Sequence, residues 1–347
     1  MSLLTSLISH QIWLQRTASG EVKDLTPFIQ EMRDEIKRRV LLFGDDGRST
    51  ARLNKLLRDL EEALEGLTGD WQTKLAEDLK ELAAYEAEWN VKTLTANVDA
   101  EFVTPTAEQV WAAAEFQPLS LSDKPVDFTK LMDGWGETEV ARLVTGVKMG
   151  FVQGQTTRQI VKNVVGAGGL ADISERNAAT VIRTALSHVS NEARNETYRQ
   201  NDDIIEKYEW VSTLDSRTST ICRARDGMTW EIGKGPMPPA HPNCRSCTAP
   251  VISSEFDFLD KGAKRAAKGA DGGTQVSADT TYYEFLKQQP AWFQDQALGP
   301  VRGKIFRNSG ISPEEFRVIS VDGFGNPLTL KQMAELDKRV ADYLKGE

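Results

Sequence analysis

The stretch HPNCRSC, residues 241 to 247, places His241, Cys244 and Cys247 inside seven positions of a chain with only three histidines and three cysteines. The remaining cysteine, Cys222, lies upstream. Three kinds of chemistry fit these residues. In the first, Cys222, His241, Cys244 and Cys247 are four soft or borderline ligands for zinc. A C-x-x-C turn delivers two thiolates to one tetrahedral ion at about 2.3 Å, and a distant hairpin brings the rest. In the second, Cys244 is a nucleophile with His241 or His188 as its base, oriented by Asp215 or Asp226. No nucleophile elbow or oxyanion-hole pattern accompanies that arrangement. In the third, the block is a structural turn: Asp215 and Arg217 hold its backbone by charge-assisted hydrogen bonds, and the cysteines pack as small buried apolar groups. His188 and His10 fall on predicted helices and read as core or surface histidines.

These residues need a frame to position them. The chain has 347 residues, 40% of them hydrophobic, enough for two or three domains and a sizeable core. Its formal net charge of −9 argues against wholesale coating of nucleic acid, though local basic patches remain open. No stretch approaches the roughly 18 apolar residues that span a bilayer. The first residues, MSLLTSLISHQIWLQRTASG, lack the basic region and cleavage site of a signal peptide. Three clustered cysteines do not resemble a disulfide framework and suit a reduced compartment.

The expected fold is mainly α with a small α+β element. Residues 1–92 read as an N-terminal arm or bundle of long helices. Thr26-Pro27 opens one, with Ile29, Met32, Ile36 and Val40 on a face. Ser49 or Thr50 caps the next, where Leu53, Leu56, Leu57, Leu60, Leu64 and Leu67 form a narrow stripe. Gly69 is expected to break it, and Leu75, Leu79 and Leu82 continue in a further helix. Residues 93–135 form a connector with one short helix over 107–115. Residues 136–255 are a helical domain carrying a β-hairpin with a Cys/His knuckle. In it Thr156 to Gln159 is a capping box, Ser174 caps a long helix, and Asp226-Gly227 is a hairpin turn. Residues 256–280, rich in Gly, Ala and Lys, are expected to be a flexible linker. Residues 281–347 form a small C-terminal helical module.

The order W-V-S-T-L-D-S-R-T-S-T-I-C, then D-G, a Gly/Pro loop and P-P-A-H-P-N-C-R-S-C resembles the phage Mu F-like minor head proteins, or phage head morphogenesis proteins. Trp210, Asp215, Arg217, Thr218, Cys222, Asp226, Gly227, Pro239, His241, Pro242, Asn243, Cys244 and Arg245 sit where that pattern wants them. The resemblance covers roughly 136–255, and the QQPAWF and LGPVRG segments resemble a stretch that often trails this domain. Ser219 stands where many members have cysteine. Ser246 occupies the place of their closing cysteine, with Cys247 one position later.

The resemblance implies a minor head protein of the virion, portal-associated, several copies at the portal vertex, made in the host cytoplasm and acting in head assembly and in genome packaging or ejection. Its partners would be the portal protein, the inner capsid or scaffold, and packaged double-stranded DNA, with no membrane required. No turnover is expected, and Zn2+ is the one candidate cofactor. Lys261, Lys264, Arg265 and Lys268, with Arg302, Lys304 and Arg307 beyond them, are the candidates for phosphate contact. The alternative is a nuclease or toxin-like enzymatic module in the tail, where Tyr282, Tyr283, Glu284, Arg302 and Arg307 carry the available chemistry.

Overall fold

The computed structural model describes residues 2–45, 49–121, 125–252 and 262–346. The chain is mainly α with a small α+β element. Three long helices come first: α1 (Leu3–Asp24), α2 (Thr26–Phe43) and α3 (Thr50–Asn97). Ser2 and Ser49 cap α1 and α3 by accepting from backbone amides three residues on. Thr26 already lies inside α2, with Leu25 as the flanking residue and Pro27 in its first turn. Contrary to expectation, α3 runs 48 residues straight through Gly69. A glycine costs about 1 kcal/mol in a helix interior. Leu60, Leu64, Trp71, Leu75 and Leu79, all buried on one face, outweigh it.

Next come α4 (Ala107–Phe116), α5 (Phe128–Val152), α6 (Thr157–Val165) and α7 (Leu170–Arg199). The Thr156 capping box opens α6 as its sequence predicts. Ser174 does not cap α7. That helix starts at Leu170 behind Gly169, and Ser174 is an interior residue whose hydroxyl donates to Glu139 Oε2 at 2.7 Å. From Ala178 on, α7 is buried on nearly every side. One hydrophobic core runs from Leu14 of α1 to Ala193 of α7 and includes side chains of α2 to α6. Residues 1–92 are therefore no separate arm: they share their core with 128–193.

The α+β element follows: β1 (Ile205–Val211), α8 (Thr220–Arg225), β2 (Thr229–Glu231) and β3 (Cys247–Ile252). The sheet order is β2-β1-β3, antiparallel throughout, with Tyr208 paired to Trp230 and Pro250, and Val211 to Cys247. Asp226-Gly227 joins α8 to β2 instead of linking two strands, and Gly227 supplies the positive φ of 77° that the turn needs.

The expected linker over 256–280 is a second hairpin where it is described: β4 (Lys264–Gly269) and β5 (Gly272–Ser277) pair antiparallel across Ala270-Asp271. It bonds to the preceding element through the Lys268 amide and the Leu214 carbonyl, at 2.8 Å. Six short helices close the chain: α9 (Tyr282–Lys287), α10 (Ala291–Leu298), α11 (Pro300–Asn308), α12 (Pro313–Ser320), α13 (Leu330–Leu336) and α14 (Lys338–Gly346). Their core of Tyr282, Tyr283, Phe285, Phe306 and Phe316 takes in Leu214 and Ala267, so module and hairpin pack as one.

Candidate metal centre and the domain that carries it

β1 brings Trp210 into a fully buried position, where its indole N–H donates to Ser212 Oγ at 3.1 Å. Ser212 in turn donates to the Cys222 carbonyl at 2.7 Å. Ser219 caps α8 by accepting from the Cys222 amide, which fixes the first turn of that helix. Cys222 thus points inward from a short, doubly anchored helix.

The partner loop is held just as firmly. Asn243 adopts φ 58°, a left-handed conformation that asparagine tolerates better than most residues. Its amide N–H donates to Thr184 Oγ1 at 3.1 Å, and its side chain reaches Thr180 at 3.2 Å, so the loop is pinned to α7. The Cys244 amide closes a turn onto the His241 carbonyl at 3.1 Å.

The result is a cluster of Cys222, His241 and Cys244, with ligand atoms all within 4.8 Å of one another. Cys222 Sγ lies 3.3 Å from His241 Nε2 and 3.6 Å from Cys244 Sγ. Ligand atoms on one tetrahedral zinc stand about 3.5–3.8 Å apart, given bonds near 2.3 Å to sulfur and 2.0 Å to nitrogen. The spacing suits such an ion. His241 Nδ1 donates to the Pro242 carbonyl at 2.9 Å, which leaves the Nε2 lone pair facing the two sulfurs. Both cysteines are buried, and the two thiols cannot readily ionise together. Their mutual hydrogen bond raises Cys222 well above the usual thiol range and lowers Cys244 well below it.

Cys247 does not join them. As the first residue of β3 it pairs with Val211, and its thiol lies against the fully buried Arg194 of α7. The C-x-x-C spacing suggests two ligands on one turn, but strand formation at Cys247 carries the second one away. His10 and His188 are also elsewhere. His10 meets Glu86 at 2.6 Å and His188 meets the Ala114 carbonyl at 2.7 Å, both inside the helical core.

The charged residues of the motif form two clasps. Arg245 holds Asp215 with two hydrogen bonds of 2.6 and 2.9 Å. Burial pushes the Asp215 carboxyl up, but Arg245, the Arg217 amide and Thr218 outweigh it and keep it below the usual range. The second clasp joins Asp226 to Arg265, with contacts of 2.9 and 3.1 Å, and Asp226 also accepts from the amides of Ser212 and Tyr282 at 2.7 Å. Both carboxylates are therefore engaged by arginines, and neither orients His241. The Arg217 side chain is largely exposed, 3.7 Å from Asp215.

Arg265 is thus misplaced among the candidate phosphate contacts. Strand alternation turns Arg265 and Ala267 inward and Lys264 and Lys268 outward to solvent. Lys261 lies outside the described residues. In the last module Tyr282 Oη donates to the Asp215 carbonyl at 2.7 Å, and Tyr283 is buried. Glu284 caps α9, Arg302 reaches the Leu328 carbonyl at 2.6 Å, and Arg307 pairs with Asp295 at 2.7 Å, while Lys304 is exposed. Sequence reasoning missed Arg194, Ser212 and the Thr180–Thr184 anchor. Their roles come from burial and long-range contacts, which residue type and spacing do not reveal.

The β1–β3 element and the helices behind it coincide with a known domain. Residues 141–249 match the family Phage Mu protein F like protein. The match covers about a third of the chain, and over these residues the chain is similar to that family. The matched segment runs from α5 to β3 and includes the whole Cys/His cluster and the Asp215–Arg245 clasp. No curated protein and no solved structure gives a significant match. Among the described residues, no helix is long and apolar enough to cross a membrane.

Proposed function

We propose that this chain is a minor head protein mounted at the portal vertex inside the phage capsid, acting in head assembly and in packaging or ejection of the genome. The observation that carries the reading is the Mu F-like match over 141–249. The motif residues inside it are engaged with one another: Asp215 with Arg245, Asp226 with Arg265, Trp210 with Ser212. Such a network builds a rigid mount and needs no substrate. The portal protein, the inner capsid or scaffold, and packaged DNA are the partners, with Lys264 and Lys268 the outward cations of β4 for phosphate contact. Several copies would gather at the vertex.

Zn2+ is part of this reading, held by Cys222, His241 and Cys244. When bound, it supplies folding energy by tying α8 to the 241–244 loop. A nuclease or toxin-like module in 281–347 is the alternative. It would have to work with residues already tied into the packing of that module, Tyr282, Arg302 and Arg307 among them.

Quantitative mass spectrometry of particles made by the phage tests the reading. A few copies per particle are expected, and complete absence from procapsids and virions overturns it. Reproducible DNA cleavage by the purified chain, lost in Arg302→Ala, would instead favour the enzymatic alternative.

A further inference from the structure

A second feature lies farther along α7, beside the proline segment that leads into His241. A cavity of about 750 Å³ opens between α7, the segment after α4 and the loop that follows β2. Glu192 lines it and is only 5% exposed. Its one hydrogen bond among the described residues comes from Asn195 Nδ2 at 3.3 Å. No ion pair reaches it among the described residues. Arg199, a cation of the same helix that also lines the cavity, pairs with Glu196 at 3.7 Å and offsets the burial of Glu192 only in part. A carboxylate withdrawn from water without a counter-ion is costly. Burial accordingly pushes Glu192 up to about 7.

Asn195, also lining the cavity, has a buried Oδ1 with no hydrogen-bond partner among the described residues. Pro236, Pro238 and Pro239 form the opposite wall, and prolines offer carbonyls but no N–H. Ile232, Met237 and Leu119 add apolar surface between these acceptors. The site thus sets a buried acid and an unpartnered amide oxygen opposite proline carbonyls and aliphatic side chains, with Arg199 and Asp202 also on its lining.

We infer that this cavity takes the cationic end of an aliphatic chain, an ammonium or guanidinium group, with Glu192 as its counter-ion and Asn195 as a second acceptor. The methylene stem lies along Ile232, Met237 and the prolines, as long basic side chains do on apolar surface. Two sources carry this chemistry: a lysine or arginine side chain of another polypeptide, and a free polyamine. The inference is independent of the head-assembly reading, because it rests on the cavity alone.

Calorimetric titration of the full chain at pH 8 tests it. The probes are N-acetyl-arginine amide, N-acetyl-lysine amide and spermidine, with N-acetyl-citrulline amide as the uncharged isostere. Saturable binding of at least one cationic probe is expected, weakened about tenfold or more in Glu192→Gln and for citrulline, since a charge-assisted contact is lost. Glu192→Gln removes an unpaired buried charge and should fold. Asn195→Ala, expected to weaken binding less, is the second variant. Tighter binding of the amino-acid amides assigns the site to a polypeptide partner, and tighter binding of spermidine assigns it to a polyamine. Citrulline binding as tightly as arginine, an unchanged Glu192→Gln variant, or no saturable binding of any cationic probe overturns the inference.

Discussion

Arg265 reaches from the β4–β5 hairpin into the Mu F-like domain and holds Asp226 with both terminal nitrogens, at 2.9 and 3.1 Å, in a site closed to solvent. Its Nη2 also donates to the Ser212 carbonyl at 2.6 Å, and its Nη1 to the Thr280 carbonyl at 3.0 Å. One side chain thereby joins β1, the α8–β2 turn, the hairpin and the last module.

Removing that side chain leaves a carboxylate buried without its charge partner. Arg265→Ala should therefore lose about 3–5 kcal/mol of stability, as breaking buried pairs does. Lys264→Ala and Lys268→Ala, on the outward face of the same strand, should lie within about 0.5 kcal/mol of the parent. Urea denaturation compares the three. An Arg265→Ala protein as stable as the lysine variants would show that the clasp contributes nothing to holding the modules together.

Metal content separates the three cysteines. After expression in zinc-replete medium, the parent should carry close to one zinc per chain. Cys222→Ser and Cys244→Ser should lose it, and Cys247→Ser should keep it, because Cys247 faces Arg194 and not the cluster. Chelation should lower the melting temperature of the parent and leave Cys222→Ser unmoved. Zinc-free parent protein, or zinc lost on replacing Cys247, contradicts the ligand assignment.

The loop that presents His241 and Cys244 depends on the backbone of Asn243. Asn243→Ala puts a Cβ-bearing residue without local hydrogen bonding at φ 58°. It should cost roughly 1–2 kcal/mol from the left-handed conformation. It also loses the contact to Thr180. Asn243→Gly frees the backbone and should recover most of that loss. Denaturation midpoints of the two variants, with their zinc contents, measure it; an alanine variant no weaker than the glycine one would exclude backbone strain as the reason for asparagine.

Where apolar residues recur with helical period, the fold is legible in the residues themselves. The Leu53–Leu67 stripe lies on α3, and the Thr156–Gln159 capping box starts α6 where it should. The motif block likewise points to β1 and to the Cys222–His241–Cys244 group. Legibility ends where long-range contacts override local composition. Gly69 is a local breaker that its helix face outvotes. Lys264 to Ser277 has no alternation of large apolar residues, and its order comes from Arg265 finding Asp226 across the fold. Cys247 looks like half of a C-x-x-C ligand pair, yet strand pairing with Val211 decides where its thiol points. The cavity beside Glu192 is invisible in the sequence, since it joins three segments distant in the chain.

Two neighbours on α7 give the last prediction. His188 is buried with its ring 5.1 Å from Phe128, and burial lowers it from 6.5 to about 4. Glu192, one turn on, is raised by burial from 4.5 to about 7, with Arg199, Glu196 and Asp202 as the charged groups near it. Each displacement corresponds to ~3 kcal/mol at full effect. The signs are opposite. His188 folds neutral, so its contribution is complete above pH 6.5 and is lost as pH falls toward 4. Glu192 folds protonated, so its contribution is complete below pH 4.5 and is lost as pH rises toward 7. Between 4.5 and 6.5 the two slopes oppose each other, and this pair leaves the parent nearly flat. Glu192→Gln should uncover the histidine, with stability rising across pH 4 to 6.5; His188→Gln should uncover the acid, with stability falling from 4.5 to 7. Urea midpoints taken at half-unit pH steps show both, and variants whose profiles run parallel to the parent would mean that neither group is buried in the form described.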